Sequence, residues 1–282
     1  MIINIVIPVF NRLSDTKTIL DNIRDQITNN KLVIYIVNDI STDGTSEWLK
    51  EQKDINVLNG NGFLYWAGAV NLALNHISKK CDNNEWILLL NNDVTIKPNY
   101  IENLLKIGIE FYPSAVGSIV KNNQTNKLVS IGPKIFKEGL VVDDLINLDF
   151  KKENQKVIKD VDALSGRGAL FPIQSILDSG GLRPLFMPHY FADYDLSIRI
   201  KKKGYRLIIS LKSIVYTSED FEEVIKIRRK ENLFFKFFSK KSSSLLYAKF
   251  LFWWEASNFL QRVSLPLRII LFIIKPDLRK TL

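Results

Sequence analysis

The stretch that decides the fold of this 282-residue chain is IINIVIPVFNRLSDTKTILDNIRDQITNNKLVIYIVNDISTDGT, at residues 2–45. Apolar runs at 2–7, where Asn4 is the one polar residue, and at 32–37 predict two buried strands. Between them an apolar residue recurs every four positions, which predicts a helix beginning near residues 14–15; these residues are Ile19, Ile23 and Ile27. A strand, a crossover helix and a second strand predict a parallel pair, and the polar loop at 38–45 follows the second strand.

The same alternation continues along the chain. The predicted elements are a helix at 46–52, a strand at 55–58, a sharp NGNG break at 59–62, a helix at 67–77, a strand at 86–90, a strand at 165–171, a helix at 193–203 and a strand at 207–215. Weak periodicity at 115–160 predicts short strands and loops. The sequence therefore predicts an α/β fold with a central, mostly parallel sheet flanked by helices, in which ligands bind beyond the carboxyl ends of the strands.

Composition excludes several classes of protein. Hydrophobic residues make up 46% of the chain and charged residues 24%, which excludes a disordered protein. A single cysteine, Cys81, excludes a disulfide framework and a cysteine-based zinc site. The first ten residues lack the basic segment and cleavage site of a signal peptide, and no apolar run reaches the roughly 18–20 residues of a membrane span. We therefore expect a cytoplasmic protein.

Charge divides the chain into two predicted parts. Residues 221–282 carry 13 Lys and Arg against 5 Asp and Glu, whereas residues 1–220 carry 26 against 25. We predict a catalytic domain at 1–220 and a helical extension at 221–282, with Pro266 interrupting its last helical stretch. The extension interleaves aromatic and basic side chains, namely Phe234, Phe235, Phe237, Phe238, Phe252, Trp253, Trp254 and Phe259 with Lys236, Lys240, Lys241, Lys249 and Arg262.

Such an extension suits an anionic membrane surface, where a basic helix with Trp and Phe lies in the interface. Two other interpretations remain open. The aromatic residues also suit a helical cap packed on the catalytic domain, and the basic residues also suit nucleic acid. We favour the membrane surface and expect no nucleic-acid partner.

Three polar clusters follow predicted strands or begin a predicted helix. In the loop VNDISTDGT at 37–45, Asp39 can accept hydrogen bonds from a base N–H or a sugar hydroxyl, although Ser, Thr and Asp before a helix also serve as N-caps. In NND at 91–93, Asp93 can hold a divalent cation together with substrate phosphates, although Asn and Asp are also common turn residues.

The third cluster is PHYFADYDLSIR at 188–199. Two acids at the start of a helix meet the positive end of the helix dipole. The functional interpretation is that Asp193 projects into a cleft as a base, while Asp195 caps or anchors the helix. His189 is a ligand, a substrate contact or a packed histidine.

Taken together, these clusters resemble a known family. Six segments, taken in order along the chain, are similar to the motifs of family 2 glycosyltransferases. They are IVIPVFNR at 5–12, VNDISTDGT at 37–45, NGNGFLYWAGAVNLAL at 59–74, LLLNNDV at 88–94, LSGRGALFP at 164–172 and GGLRPLFMPHYFADYDLSIRIKKKGYRL at 180–207. These enzymes have the GT-A fold, use nucleotide-activated sugars and invert the anomeric centre. The resemblance covers about residues 2–216.

The resemblance implies roles for individual residues on the nucleotide side of the site. Pro8, Phe10 and Arg12 would lie against the nucleotide, and Asp39 would bind the pyrimidine base. The nucleotide-sugar pocket would be lined by Asn61, Gly62 and Asn71.

On the reacting side, the resemblance implies that Asp93 holds Mg²⁺ or Mn²⁺ and that Asn92 lies near the ribose or sugar. Residues 166–168, including Gly166 and Arg167, would border the donor sugar and the acceptor, with Asp193 as the catalytic base. Further contacts to donor or acceptor are expected from Trp66, His189, Tyr190 and Asp195.

Two positions depart from the family pattern. The earlier acids of the metal motif are Asn91 and Asn92 here, which leaves Asp93 as its one carboxylate. Where the family often has a histidine metal ligand, after the last strand, this chain has VYTSED at 215–220.

The resemblance implies an inverting glycosyltransferase of the rhamnosyltransferase-like, bacterial surface-polysaccharide type. It would move a sugar, such as rhamnose from dTDP or a hexose from UDP, to a hydroxyl of a glycan or lipid-linked acceptor, at the inner face of the cell membrane. The alternatives are a catalytically impaired nucleotide-sugar-binding scaffold and a nucleotidyltransferase. The latter favours a glycine-rich phosphate loop after the first strand, and residues 8–13 contain no glycine.

Overall fold

A computed structural model of the protein describes residues 1–136, 141–143, 156–218, 233–240, 242 and 245–274. Within these residues the chain forms a ten-stranded mixed sheet and a separate two-stranded sheet. The α/β fold with a flanked central sheet is therefore confirmed. Part of the weakly periodic segment at 115–160 lies outside the described residues. Residues 219–232 and Lys241 lie entirely outside them.

The strands are β1 Ile2–Val9, β2 Lys31–Asn38, β3 Ile55–Asn59, β4 Trp86–Leu89, β5 Val94–Ile96, β6 Ser114–Asn122, β7 Leu128–Ser130, β8 Lys134–Phe136, β9 Val141–Asp143, β10 Val157–Lys159, β11 Ala169–Pro172 and β12 Arg206–Thr217. The helices are α1 Leu13–Arg24, α2 Thr45–Glu51, α3 Tyr65–Ile77, α4 Tyr100–Glu110, α5 Ile173–Ser179, α6 Ala192–Lys202, α7 Leu233–Phe238, α8 Leu246–Ala256 and α9 Phe259–Ile274.

The first half of the sheet follows the predicted pattern. Strands β4, β1, β2 and β3 are neighbours in that order and all run parallel. Pro8 pairs with Val37 and Val9 with Asn38, so β1 and β2 end at the same edge. The loops that follow β1, β2 and β4 are therefore brought together at that edge.

The second half of the sheet is less parallel than predicted. Strand β11 runs antiparallel to both neighbours, β4 and β6, while β12 runs parallel to β6. Because β11 is reversed, its first residue, Ala169, lies at the edge where β4 ends. Residues 165–168, which precede it, therefore reach the same edge as the loops of the first half.

The core lies on both faces of the sheet because side chains alternate along each strand. In β1, the fully buried Ile3, Ile5 and Ile7 pack in the cluster with α1 and α4, whereas Val6 packs on the opposite side with α3. Buried area on two faces of one sheet favours a single packed domain.

Several elements were not anticipated from the sequence, among them the short strand β5 and the helix α5. Helix α4 was not predicted, and the weakly periodic middle of the chain contains the nine-residue strand β6. Seven of the nine residues of β6 are buried, because it lies between β12 and β11. A strand buried on both faces lacks the polar–apolar alternation by which a strand is recognised.

The C-terminal helices are partly built into the catalytic body. In α8, Phe252 and Trp253 are 0% and 1% exposed and belong to the core cluster of α3 and α6. The ring of Phe252 stacks on Phe191 with centroids 4.7 Å apart. Phe252 and Trp253 therefore pack on residues that precede the change of composition near residue 220, and the division into two domains at that residue stays a prediction. This arrangement fits the packed-cap interpretation for α8.

The C-terminal helical stretch is interrupted at a different residue from the one predicted. The break falls at Ser257, which is extended, and Pro266 lies inside the helix. Asn258 caps the new helix, because its side chain accepts the Gln261 N–H at 2.9 Å and its own N–H donates to the Gln261 side chain at 3.1 Å. In the described part of the chain, no helix has the length and apolar character that crossing a membrane requires.

Candidate active site

Four stretches of chain meet at the carboxyl edge of the parallel strands. The loop after β1 carries Arg12, the loop after β2 carries Asp39 and the loop after β4 carries Asp93. The fourth is the loop at 165–168, before β11. The helix α6, with Asp193 in its first turn, lies against this last loop.

Asp39 is buried, at 6% exposed, and its carboxylate orders the loop before α3. Its Oδ1 accepts the Gly62 N–H at 2.7 Å and its Oδ2 accepts the Leu64 N–H at 2.9 Å. Each oxygen keeps a second lone pair, so the carboxylate can still accept a hydrogen bond from a ligand. Asp39 therefore orders the loop at 60–64 beside this edge of the sheet.

N-capping, the alternative interpretation of this loop, applies to a different residue. Asp43 accepts the N–H groups of Leu13 at 3.0 Å and Thr45 at 3.2 Å, and these residues begin α1 and α2. The Thr45 hydroxyl is also bound to it and lowers the pKa of Asp43. Asp43 thus accepts hydrogen bonds from the first residues of α1 and α2, whereas Asp39 binds the backbone of the loop at 60–64.

Asp93 is paired with Arg12. The Arg12 Nη1 lies 2.5 Å from the Asp93 Oδ2, and the side chains are 53% and 16% exposed respectively. The second oxygen of Asp93, Oδ1, is buried and accepts no hydrogen bond from any residue that the structure describes. An orphaned buried carboxylate oxygen is costly unless a ligand completes it.

The two asparagines beside Asp93 have structural partners. Asn91 Oδ1 accepts the indole N–H of Trp66 at 2.9 Å. Asn92 is 8% exposed, and its amide donates to the Thr16 hydroxyl at 3.1 Å and to the Asn11 carbonyl at 3.3 Å. Asn92 therefore joins the loop after β4 to the loop after β1.

Trp66 connects the loop after β4, which carries Asp93, to the loop at 165–168, which binds Asp193. While its N–H binds Asn91, its ring lies against Gly166, where an added Cβ would overlap the indole. The importance of Gly166 is thus steric, because no side chain fits there. Sequence analysis predicts that Trp66 contacts donor or acceptor and missed its bond to Asn91, since the two residues are 25 positions apart.

Asp193 is half-buried at the start of α6. Its Oδ2 accepts the Gly166 N–H at 2.8 Å and its Oδ1 accepts the Tyr194 N–H at 2.9 Å. The Ser197 hydroxyl donates to the Asp193 carbonyl at 2.7 Å and accepts the Leu164 N–H at 3.1 Å. These bonds fix the helix start against the loop before β11, and each carboxylate oxygen retains a lone pair for a ligand.

Burial raises the pKa of Asp193 above its ordinary value, because a desolvated carboxylate loses the hydration of its charge. The hydrogen bonds from Gly166 and Tyr194 and the positive charge of Arg167 act in the opposite direction but do not cancel the effect of burial. A carboxylate with a raised pKa is a stronger base once ionised. Raised pKa values are enriched at functional sites.

Asp195 is held by two arginines. It is 1% exposed, its Oδ2 accepts Arg199 Nε at 3.0 Å and Arg183 Nε at 3.1 Å, and its Oδ1 accepts Arg183 Nη2. These bonds fit the anchoring interpretation, and the contact of Asp195 with donor or acceptor stays a prediction. Arg199 follows Asp195 by four residues, a spacing recognisable in the sequence, whereas Arg183 carried no signal.

The other predicted residues lie around this edge at different depths. Phe10 is 55% exposed, whereas Pro8 is half-buried within β1. The Asn61 side chain accepts the Phe63 N–H at 2.9 Å and thus stabilises its own turn. Gly62 has a φ of 85°, in the region that favours glycine. Asn71 lies beside Gly181, whose added Cβ would be 3.7 Å from its Oδ1.

His189 is exposed and packs edge-on against Tyr190, with ring centroids 4.7 Å apart. This is not the environment of a packed core histidine. The nearby carbonyl of Pro188 accepts the Ala67 N–H at 2.9 Å, which joins this loop to α3.

A divalent cation has limited protein ligands at this edge. Among the residues the structure describes, no three His, Cys, Asp or Glu side chains cluster as a metal site. The buried, unpartnered Oδ1 of Asp93 nevertheless fits a cation, because Mg²⁺ is commonly held by one or two carboxylates together with substrate phosphates and water. At the end of β12, where the family often has a histidine ligand, this chain has Tyr216 and Thr217. Glu219 and Asp220, which follow, lie outside the described residues.

Solved structures with the same architecture are glycosyltransferases. GalNAc-T7 with UDP, GalNAc and Mn²⁺ superposes with a TM-score of 0.62 and 12% identity, over 76% of this chain and 43% of that one. The mannosyltransferase PcManGT from Pyrobaculum calidifontis, in complex with GDP-Man and Mn²⁺, has a TM-score of 0.58 and 16% identity, over 99% and 82%. S. aureus TarS 1–349 in complex with UDP-GlcNAc has a TM-score of 0.58 and 12% identity, over 78% and 59%.

These likenesses define the class: the fold is the GT-A fold of glycosyltransferases. The chain spans less than half the length of the GalNAc-T7 structure and of the longer TarS structure. No curated protein sequence matches the chain significantly.

The family follows from the sequence itself. The model of glycosyl transferase family 2 matches residues 4–171, which is more than half of the chain. The chain belongs to glycosyl transferase family 2. The family resemblance predicted from the motifs is thereby confirmed.

Proposed function

We propose that this protein is an inverting glycosyltransferase that moves a sugar from a UDP- or dTDP-sugar to a hydroxyl of a glycan or lipid-linked acceptor in cell-surface polysaccharide synthesis. The observation that carries the proposal is Asp193: a half-buried carboxylate with a raised pKa, fixed by two backbone N–H groups, at the edge that also holds Asp39 and Asp93.

In the proposed reaction, the acceptor hydroxyl attacks the anomeric carbon as its proton passes to a carboxylate oxygen of Asp193. The new bond joins the acceptor oxygen to the anomeric carbon. The bond from that carbon to the diphosphate breaks, and its electron pair leaves with the nucleoside diphosphate. Attack opposite the leaving group inverts the configuration in one displacement.

The remaining residues bind and orient. Asp39 would accept a base N–H through its free lone pairs, and the wall formed by Trp66 and Gly166 would limit the space for the donor sugar. Asp93 would hold Mg²⁺ or Mn²⁺ through the unpartnered Oδ1. When bound, the cation offsets negative charge on the leaving diphosphate. The Mn²⁺ in the GalNAc-T7 and PcManGT structures supports this assignment.

The test is donor turnover by the full chain. Purified protein would be incubated with UDP- and dTDP-sugars, with and without acceptor, and nucleoside diphosphate release would be measured beside nucleotide binding. Release that requires Asp193 supports the proposal. Binding without turnover of any donor supports the scaffold alternative, and release of pyrophosphate from a nucleoside triphosphate supports a nucleotidyltransferase. Product analysis by NMR would then report the anomeric configuration, and retention would overturn the inverting mechanism.

We also propose that the protein contacts the anionic inner face of the cell membrane through α9. Its exposed apolar side chains lie on one face of the helix, and Leu265 and Ile269 on the other face are buried. The exposed residues are Phe259, Leu260, Val263, Leu267 and Ile270, which are 51–78% exposed.

Aromatic and basic side chains border this face. The guanidinium of Arg262 lies 5.2 Å from the ring centre of Trp254, which is 40% exposed. Such amphipathic side chains favour a lipid interface, and each basic residue near an anionic surface contributes about 1 kcal/mol. The excess of Lys and Arg in residues 221–282 supplies the complementary charge.

Vesicle flotation tests this contact. Wild type should float with vesicles of 30% phosphatidylserine, and Leu267→Glu should lower the bound fraction severalfold. Ile27→Glu, at an apolar residue that is 65% exposed elsewhere, is the matched control and should bind like wild type. Retention on DNA without flotation would favour a nucleic-acid partner instead.

A further inference from the structure

The ion pair between Arg12 and Asp93 joins two loops that the sequence separates by 81 residues. Its carboxylate is largely buried, at 16% exposed, and its guanidinium is 53% exposed. A pair with one solvated partner is weak, because water competes for the guanidinium. The pair can therefore be exchanged for a better one without disturbing the core.

The backbone that presents Arg12 is unusual. Asn11 and Arg12 are consecutive non-glycine residues with φ of 59° and 67°, in the left-handed region. This conformation is unfavourable for such residues and is concentrated at functional sites.

Three hydrogen bonds hold the turn in place. The Asn11 N–H donates to the Ser41 hydroxyl at 2.8 Å, its side chain accepts the Thr42 N–H at 2.8 Å, and its carbonyl accepts the Asn92 amide at 3.3 Å. The turn is thus fixed from two neighbouring loops. The exposed guanidinium beyond it remains able to change partners.

Arg12 also limits what Asp93 can bind. With Arg12 on Oδ2, a divalent cation that approaches Asp93 finds one unpartnered oxygen and a positive charge beside it. A diphosphate offers a guanidinium stronger, bidentate acceptors than a single carboxylate oxygen. Moving Arg12 from Asp93 to a diphosphate would free Oδ2 of Asp93. It would also move the positive guanidinium away from the position of the divalent cation.

We propose that Arg12 is a counter-ion that Asp93 holds until a donor arrives and that then passes to the donor's diphosphate. Binding of the nucleotide and of the divalent cation is therefore cooperative, and by linkage each tightens the other by the same factor. This role rests on the proposed function, because it requires a nucleoside diphosphate at this edge.

The experiment measures Mn²⁺ binding to the full chain by electron paramagnetic resonance, first alone and then with saturating UDP, dTDP or GDP. For wild type, nucleotide should tighten Mn²⁺ binding at least tenfold. For Arg12→Gln, Mn²⁺ alone should bind at least threefold more tightly than to wild type, and the gain from nucleotide should shrink. Arg12→Lys, which keeps the charge, should bind Mn²⁺ alone like wild type.

Lys17→Gln is the matched control, because it removes a positive charge from α1 at a side chain that lies over Trp48. It should leave Mn²⁺ binding unchanged, and thermal melting would confirm that every variant is folded. Equal affinity of wild type and Arg12→Gln for Mn²⁺ alone, or no Mn²⁺ binding by either, would overturn the role of Arg12. Nucleotide binding measured without Mn²⁺ tests the proposed function separately, since a protein that binds no nucleoside diphosphate lacks a donor site.

Discussion

The backbone N–H of Gly166 donates a 2.8 Å hydrogen bond to Oδ2 of Asp193. This bond joins the loop before β11 to the first turn of α6, two segments that are 27 residues apart. It orients the carboxylate toward the edge of the sheet, and Trp66 fills the space on the other side of Gly166. The proposed chemistry depends on this orientation.

Asp193→Asn should abolish the proposed base. Transfer should fall by about 10²–10⁴-fold in kcat, the usual contribution of a general base, while donor affinity changes little. Steady-state kinetics and calorimetric titration with the donor would measure both quantities. Ser197→Ala, which loosens the helix start without touching the carboxylate, should cost less. Equal activity of Asp193→Asn and wild type would exclude Asp193 as the base.

The pH dependence of transfer should report the pKa of Asp193. Because burial raises that pKa and the base acts in its ionised form, kcat/KM should rise with pH through a value above the ordinary one for Asp. Arg167 lowers the same pKa by its charge, so Arg167→Gln should move the acidic limb to higher pH. Arg206→Gln is the control and should leave the acidic limb unchanged. Arg206 lies over Phe111 at the start of β12, whereas the proposed site lies near the other end of that strand. A shift to lower pH in Arg167→Gln would contradict the assignment.

Gly166→Ala should slow sugar transfer. The added methyl group would overlap the Trp66 indole, which Asn91 holds in place, so the loop or the ring must move. A displacement of about 1 Å costs on the order of 10²-fold in rate. Kinetics of Gly166→Ala beside Gly180→Ala, where an added Cβ meets nothing within 4 Å, would measure the effect. Gly180 has a φ of 79°, so its variant adds backbone strain without overlap, whereas Gly166→Ala adds overlap without that strain, since Gly166 lies outside the positive-φ region. Similar losses in both variants would argue against a steric role for Gly166.

Asp39→Asn should weaken nucleotide binding by about 10- to 100-fold, because hydrogen bonds to a charged group contribute about 1.5–3 kcal/mol. It would also loosen the loop at 60–64, whose N–H groups the carboxylate binds. Asp43→Asn is the matched control in the same loop, and it should lower thermal stability while sparing nucleotide affinity. Fluorescence or calorimetric titration with UDP and dTDP would distinguish them. Equal losses of nucleotide affinity in the two variants would indicate that Asp39, like Asp43, only stabilises the loop and does not bind the nucleotide.

Asp195→Ala should destabilise the protein by about 3–5 kcal/mol, since it leaves the largely buried Arg199 without its carboxylate. Chemical unfolding would measure the loss. Glu255→Gln removes a more exposed partner of Arg183 and Lys202 and should cost much less. A folded, stable Asp195→Ala variant with lost donor binding would instead support the substrate contact that the resemblance implied.

The sequence by itself determined the class of fold. Apolar runs separated by helical periodicity fix strands and crossovers locally, so β1 to β4 were predicted close to their observed positions. The polar residues after those strands were equally visible, because the carboxyl ends of parallel strands share an edge. The family motifs depend on the same local patterns, which is why they predict roles for Asp39, Asp93 and Asp193.

Only the tertiary structure decided how those residues are partnered. Strand β6 was missed because its burial comes from neighbours distant in sequence. The pairs Arg12 with Asp93, Trp66 with Asn91 and Gly166 with Asp193 join residues 25–81 positions apart. Which aromatic residues of the C-terminal helices are buried, as Phe252 is, likewise depends on the surface they meet. Local sequence sets the conformation of a segment, whereas contacts between distant segments form only when the whole chain packs.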